Sequence, residues 1–217
     1  MTPTRRLLAG AVLLLTLGCA ACTGQPSEPA DPPAKGTPPD AGFTSTVETR
    51  GQALHISYEL TNRSDAKLIV FNRVPAFSPS GSMVEDPASV YVIGSEPEGR
   101  VQVAKRAFHQ LESDRTDWTT TPLAGVSELE PGRSLREEFD VPLPLERRRP
   151  YGDDYGDGPV KLPDPVREVV FCVGAGRAAD LPAPASPPGG SEFGPVLGHL
   201  PTVTAAQHLW CSEPFGL

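Results

Sequence analysis

In Ala53–Asn62, ALHISYELTN, the side chains of Leu54, Ile56, Tyr58 and Leu60 alternate with those of His55, Ser57, Glu59 and Thr61. Successive residues of an extended chain point to opposite faces, so a period of two specifies a strand with one face on a core. His55, on the outward phase, is expected in solvent. Phe43–Arg50 precedes this strand across Arg50-Gly51-Gln52, a hairpin turn by composition, and Asn62-Arg63-Ser64-Asp65 follows it as a second turn. Leu68–Val74 (LIVFNRV) is apolar on both phases at its start, which marks a central strand.

The same reading gives strands at Ser89–Ile93 and Arg100–Ala104 around a Glu-Pro-Glu-Gly turn. Gly125–Leu129 and Ser134–Val141 flank Glu130-Pro131-Gly132-Arg133, and Arg167–Val173 and Gln207–Cys211 complete the set. With 26 Pro and 21 Gly in 217 residues, long helices have no place, and the one helical alternative, Arg106–Ser113, spans two turns at most. The expected fold is all-β, an antiparallel sandwich of about eight strands. The ALHISYELTNRSD opening, with Leu129-Glu-Pro131-Gly132 ahead of a polar strand, resembles immunoglobulin-like domains of bacterial envelope proteins. That resemblance implies a scaffold used for binding.

The first 22 residues specify an address. Arg5 and Arg6 precede an uncharged run, Leu7–Leu17, which ends in small residues and a cysteine. This is the order of a secretory signal, and the run is shorter than the ~20 residues of a membrane-spanning helix. Leu15-Thr16-Leu17-Gly18-Cys19 resembles the lipobox of bacterial lipoproteins, which implies a signal over 1–18 and lipidation of Cys19. Cys22, behind Ala20-Ala21, is the rival site. The implied location is the cell envelope, facing away from the cytoplasm, and the outer membrane in a diderm host. Residues 19–42 then form a tether: in residues 23–42, TGQPSEPADPPAKGTPPDAG, proline apart, no aliphatic or aromatic side chain is larger than alanine, so the stretch is expected to stay disordered and extended. In that setting Asn62-Arg63-Ser64, which matches a glycosylation acceptor, is read as turn chemistry.

Residues 43–217 are enough for one domain with a real core. The net charge of −8 argues against nucleic-acid binding. Cys172 and Cys211 lie in the last two expected strands, and in an oxidising compartment they are expected to pair. Closing about 39 residues would stabilise the head by roughly 4 kcal/mol on a chain-entropy account.

The remaining motifs are weaker. Gly174-Ala-Gly176-Arg-Ala-Ala179 follows an apolar strand but is followed by Asp180-Leu-Pro-Ala-Pro, not a helix, so it reads as a turn and not as a dinucleotide fingerprint. Asp153, Asp154 and Asp157 lie in a Gly-rich loop suited to Ca²⁺, but the ligand pattern of a calcium loop is incomplete and an acidic solvated loop is the reading preferred. His55, His109, His199 and His208 lack metal-ligand spacing, and no local nucleophile motif is present. No cofactor is expected. Arg147, Arg148 and Arg149, with Tyr151 and Tyr155 beside them, form the single basic cluster and are expected to present an exposed recognition loop to a protein partner.

The function these features imply is that of an envelope lipoprotein. It is held to the bilayer through acylated Cys19, and its non-catalytic sandwich binds an envelope protein. An enzyme or metal-dependent module with a site assembled from distant residues is the alternative. Replacing Cys19 with Ser is expected to move the protein from the membrane fraction to the soluble fraction, checked by detergent partitioning. Unchanged partitioning would reject lipidation at that residue.

Overall fold

The computed structural model describes residues 28–95, 97–110, 120–154, 158–187 and 193–217. Cys19 and Cys22 lie outside these residues. Among them thirteen strands, one 3-10 turn (Ala178–Asp180) and one short helix, α1 (Pro201–Ala206), are formed, so the all-β expectation holds. No helix among the described residues is long and apolar enough to cross a membrane.

Strands β1 (Ala41–Arg50) and β2 (Ala53–Asn62) form the expected hairpin, closed by the pair Arg50 and Ala53. Gly51, at φ +61°, is the first of the two loop residues, where a type II′ connection requires a left-handed residue. The buried Asn62 side chain holds the next turn, donating to the Ala66 and Leu129 carbonyls and accepting from the Ser64 N–H. Strand β9 (Ser134–Pro142) pairs with the other edge of β2, completing a three-stranded antiparallel sheet. The Glu130–Arg133 turn carries the chain into β9 from a strand of the other sheet, so it links two layers rather than closing a hairpin.

The second sheet runs β11 (Val196–Gly198), β8 (Leu123–Leu129), β3 (Leu68–Arg73), β10 (Glu168–Arg177), β7 (Arg100–Lys105), β6 (Tyr91–Ser95). The two short strands β12 (His208–Cys211) and β13 (Phe215–Gly216) pair with the opposite edge of β10 from β7. One pair, β10 with β7, is parallel, so the sheet is mixed where an antiparallel one was expected. A crossover between those strands, through β8 and β9, permits it. Strands β4 (Ala76–Phe77) and β5 (Met83–Val84) form a separate ribbon too short to leave a periodic signal. Residues 106–110, where a helix was one reading, are not helical.

Leu54, Ile56, Tyr58 and Leu60 face Val101, Val103, Val169, Phe171 and Val173 across the two sheets, and this is the main core. A second core lies on the outer face of the large sheet, where Ile69, Phe71, Val126, Leu181, Leu197 and Val203 pack together. This explains why Leu68–Phe71 is apolar on both phases.

Cys172 and Cys211 are cross-strand partners in β10 and β12 and form a disulfide. The Gly174-Ala-Gly176 stretch, expected as a turn, continues β10. Its two glycines make room for the chain at Ala206 and Gln207, which packs directly on this face of the strand. A Cβ on Gly174 would strike the Gln207 side chain, and one on Gly176 would lie 2.7 Å from the Ala206 carbonyl oxygen. Gly176→Ala is expected to destabilise the head by about 1–3 kcal/mol, because backbone must shift to admit the methyl group. Gly216→Ala, which would meet open space, should stay within ~0.5 kcal/mol, and denaturant midpoints of the two variants check the contrast.

Candidate functional site

Arg147, Arg148 and Arg149 follow β9 in extended backbone. Val92 of β6 and Arg148 exchange backbone hydrogen bonds of 2.9 and 2.8 Å, so this segment covers the β6 edge. Extended backbone alternates its side chains, which splits the three arginines between two faces. Arg148 turns one way and donates to Ser89 Oγ (2.7 Å) and the Pro75 carbonyl. Arg147 and Arg149 turn the other way, inward, toward the segment ahead of β1.

That segment was expected to be a free spacer. Its described part, residues 28–40, has no regular secondary structure, yet it lies along the head. Arg147 grips the Glu28 carboxylate through Nε (2.6 Å) and Nη2 (3.0 Å), the two-pronged geometry that suits guanidinium and carboxylate. Arg149 adds Nη1 at 3.3 Å. Three residues on, Asp31 pairs with Arg106 Nη1 (2.6 Å) and accepts the His109 N–H (2.8 Å). Further along, the Lys35 N–H donates to the Ala205 carbonyl and Arg177 to that of Thr37. Composition alone leaves such a segment unfolded. Its two carboxylates dock against guanidiniums that are out of water in the docked arrangement and there need anionic partners.

The arginine loop is therefore corrected. The Arg149 side chain is 1% exposed and that of Arg147 7%, so neither stands in solvent as expected. Tyr151 is buried and donates to the His199 carbonyl at 2.6 Å, and burial raises its pKa to about 12. Tyr155 and Asp157 lie outside the described residues. Asp153 and Asp154 are exposed, and Asp154 Oδ1 accepts the Gly158 N–H at 3.2 Å. Among the described residues no group of three or more His, Cys, Asp or Glu side chains is placed to hold a metal ion.

Behind the clamp sits His199, fully enclosed between β11 and α1. Its Nδ1 accepts the Phe108 N–H (2.9 Å), which leaves the ring proton on Nε2, 3.2 Å from Tyr91 Oη. The Phe108 ring packs beneath the Arg106 guanidinium at 4.1 Å and that of Arg149 at 5.1 Å. Burial first, then the positive charge of Arg106, lower the His199 pKa to about 3; a hydrogen bond to the Leu123 backbone opposes this less strongly. Burial lowers the Arg106 pKa as well, against the pull of Asp31.

A second polar cluster lies between the sheets. Glu137 occupies an inward position of β9, in phase with Leu135 and Phe139. It accepts from Lys105 Nζ (2.7 Å), Tyr58 Oη (2.9 Å) and Asn72 Nδ2 (2.6 Å). Lys105 also donates to the Pro87 carbonyl and lies 4.2 Å above the Phe139 ring. Burial lowers the Lys105 pKa although Glu137 opposes it, and burial followed by Glu137 raises that of Tyr58. Sequence reading missed this cluster; its one signal was a glutamate on the apolar phase of a strand. His55, expected in solvent, is also covered: its register partner Asp140 bonds Nδ1 at 2.8 Å and Glu138 approaches Nε2 at 3.1 Å.

The β1 edge is the third feature. A two-residue hairpin closes on a pair that exchanges both backbone hydrogen bonds. Counting back from Arg50, the residues Phe43, Ser45, Val47 and Thr49 then turn their N–H and C=O groups away from β2. A cavity of about 440 Å³ beside this edge is lined by Phe43, Ser45, Val47, Ser212, Glu213 and Phe215. No protein-family model matches the chain, and neither does any curated protein or solved structure.

The buried histidine sets a pH dependence. Its folded pKa lies below the unfolded value of about 6.5, so the unfolded chain takes up a proton that the folded chain refuses. Stability from this group is complete above pH ~6.5 and is lost as pH falls toward 3, by about 5 kcal/mol at most. His199→Asn, whose Oδ1 can still accept the Phe108 N–H, should flatten that part of the profile of urea midpoint against pH. An unchanged slope between pH 6.5 and 4 would show that other groups carry it.

Proposed function

We propose that the chain is a membrane-anchored envelope lipoprotein, with a signal at 1–18, an acylated Cys19 and a head that binds a protein partner without chemistry. An adaptor, an inhibitor or an immunity-type protein fits that description. The head is further read as an immunoglobulin-like sandwich. Taking β1, β2, β3, β9, β10 and β12 as strands A, B, C, E, F and G gives the sheets A-B-E and C-F-G of that fold, with additions on the second sheet. The disulfide departs from the immunoglobulin pattern, since it joins the F-like and G-like strands within one sheet.

One observation carries the non-catalytic reading. His199 and Lys105, whose chemistry is altered by their surroundings, are enclosed and hydrogen-bonded to internal partners. A general acid or base has to reach a substrate proton, and neither side chain has an opening toward one. The Thr204 hydroxyl, beside the cavity near Asp31, donates to the Leu200 and Pro201 carbonyls.

The β1 edge is the surface we assign to that partner. Its outward row of backbone donors and acceptors suits an extended segment of an envelope protein, added as a further strand. The β1 sequence holds no Pro or Lys to block such pairing. Ser45→Pro removes one outward N–H that β2 does not use, and proline is tolerated on edge strands. The variant should unfold within about 1 kcal/mol of the native chain. Cross-linking in intact cells should recover a defined partner with the native chain and lose it with Ser45→Pro. Undiminished recovery would place the binding surface elsewhere.

A further inference from the structure

The arginine clamp has the design of a peptide site, and the chain fills it with its own residues. Glu28-Pro29-Ala30-Asp31-Pro32-Pro33 supplies two carboxylates three residues apart, between prolines. Proline biases such a stretch to polyproline II, which has about three residues per turn, so positions three apart share a face. Both carboxylates meet guanidiniums that are at least nine-tenths buried, Arg147 and Arg149 at Glu28 and Arg106 at Asp31. The receptor side is fixed in advance: Arg147 and Arg149 by the backbone bonds of Arg148 to Val92, Arg106 and Arg149 by the Phe108 ring.

The occupant fits only in part. A cavity of about 430 Å³ remains between the docked segment and the head, lined by Pro33, Pro38, Arg106, Gln207, His208 and Trp210 among others. Arg106 Nε, buried at its rim, has no hydrogen-bond partner among the described residues. An aromatic beside a cationic clamp is the composition that receives proline-rich acidic segments. With the segment in place the guanidiniums are out of water, so loss of Glu28 and Asp31 removes carboxylates that compensate them there.

We infer that the cleft formed by Arg106, Arg147, Arg149 and Trp210 is a receptor for a proline-bracketed acidic peptide of the form Glu-Pro-x-Asp-Pro. Residues 28–40 occupy it in cis, and a segment of the same chemistry from a partner protein displaces them. This site is separate from the β1 edge and does not depend on a lipid anchor. Where Cys19 is anchored, nine residue steps separate it from the docked Glu28, at most ~32 Å of chain. Displacement would then lengthen the tether to more than twice that.

The test uses the full chain carrying Glu28→Gln and Asp31→Asn, together with a fluorescein-labelled peptide copying residues 28–39. The peptide should bind this variant at least tenfold more tightly than it binds the native chain, and less tightly as salt rises. A peptide with Gln and Asn in place of the two acids should not bind. A variant that unfolds cooperatively yet ignores the acidic peptide, or takes both peptides equally, overturns the inference. Should the variant fail to fold, hydrogen exchange on the native chain decides. Millimolar acidic peptide should speed exchange at the Lys35 amide, and an unchanged rate there overturns the proposal. A dimer formed between the native chain and the variant would support the cleft and identify its donor as a second copy.

Discussion

Strand β10 is buried along eight of its ten residues, Val169 to Gly176, and a strand shut off on both faces requires two covers. The three-stranded sheet supplies one, and the excursion after β10, returning through β11 and α1, supplies the other. The same strand hydrogen-bonds β7 and β3 along one edge and β12 and β13 along the other. Much of the remaining architecture follows from this demand. Gly174 and Gly176 must lack side chains because Gln207 and Ala206 press on that face, and Gln207 in turn bonds both backbone groups of Ala107. The disulfide then joins β10 to β12 and fixes the end of the excursion.

Against that apolar frame the head carries two sets of buried charge, and they are settled differently. Lys105 and Glu137 come from opposing sheets and compensate one another inside the domain. Arg106, Arg147 and Arg149 find their described acids, Glu28 and Asp31, in a segment outside the sandwich. In the first arrangement both partners belong to strands of the sandwich. The second depends on a segment with no strand or helix of its own. His199 records the difference: the guanidiniums beside it, added to its burial, keep its ring neutral.

The strands were legible because their signal is local. Ala53–Asn62 declared both its bounds and its inward face through alternation, and Leu68–Phe71 declared a central position by being apolar on both phases. The cystine could be read because one compartment and two late strands left a single reasonable pairing. The parallel pairing of β7 with β10 could not be read, since strand direction within a sheet is decided by crossovers between distant segments. Two- and three-residue strands such as β4, β5 and β11 carry no periodicity at all. His55 shows a smaller limit: period two placed it on the outer face correctly, but only the register of β9 brings Asp140 and Glu138 over it.

The arginine run shows why charge is harder to place than apolar pattern. Three consecutive guanidiniums suggest one cationic surface if the segment is imagined as an irregular loop. Once the backbone is extended and bonded to Val92, alternation sends Arg148 to one side and its neighbours to the other, and no common surface exists. The carboxylates that complete the arrangement lie more than a hundred residues earlier, in a stretch whose composition argues for disorder. Neither half announces the other. A proline-rich acidic segment has no core to form, and a buried guanidinium has no stable state alone, so each is ordered by the other's requirement. That mutual dependence is local to the clamp, so an acidic segment of another chain that meets the same requirement is chemically equivalent there to the chain's own.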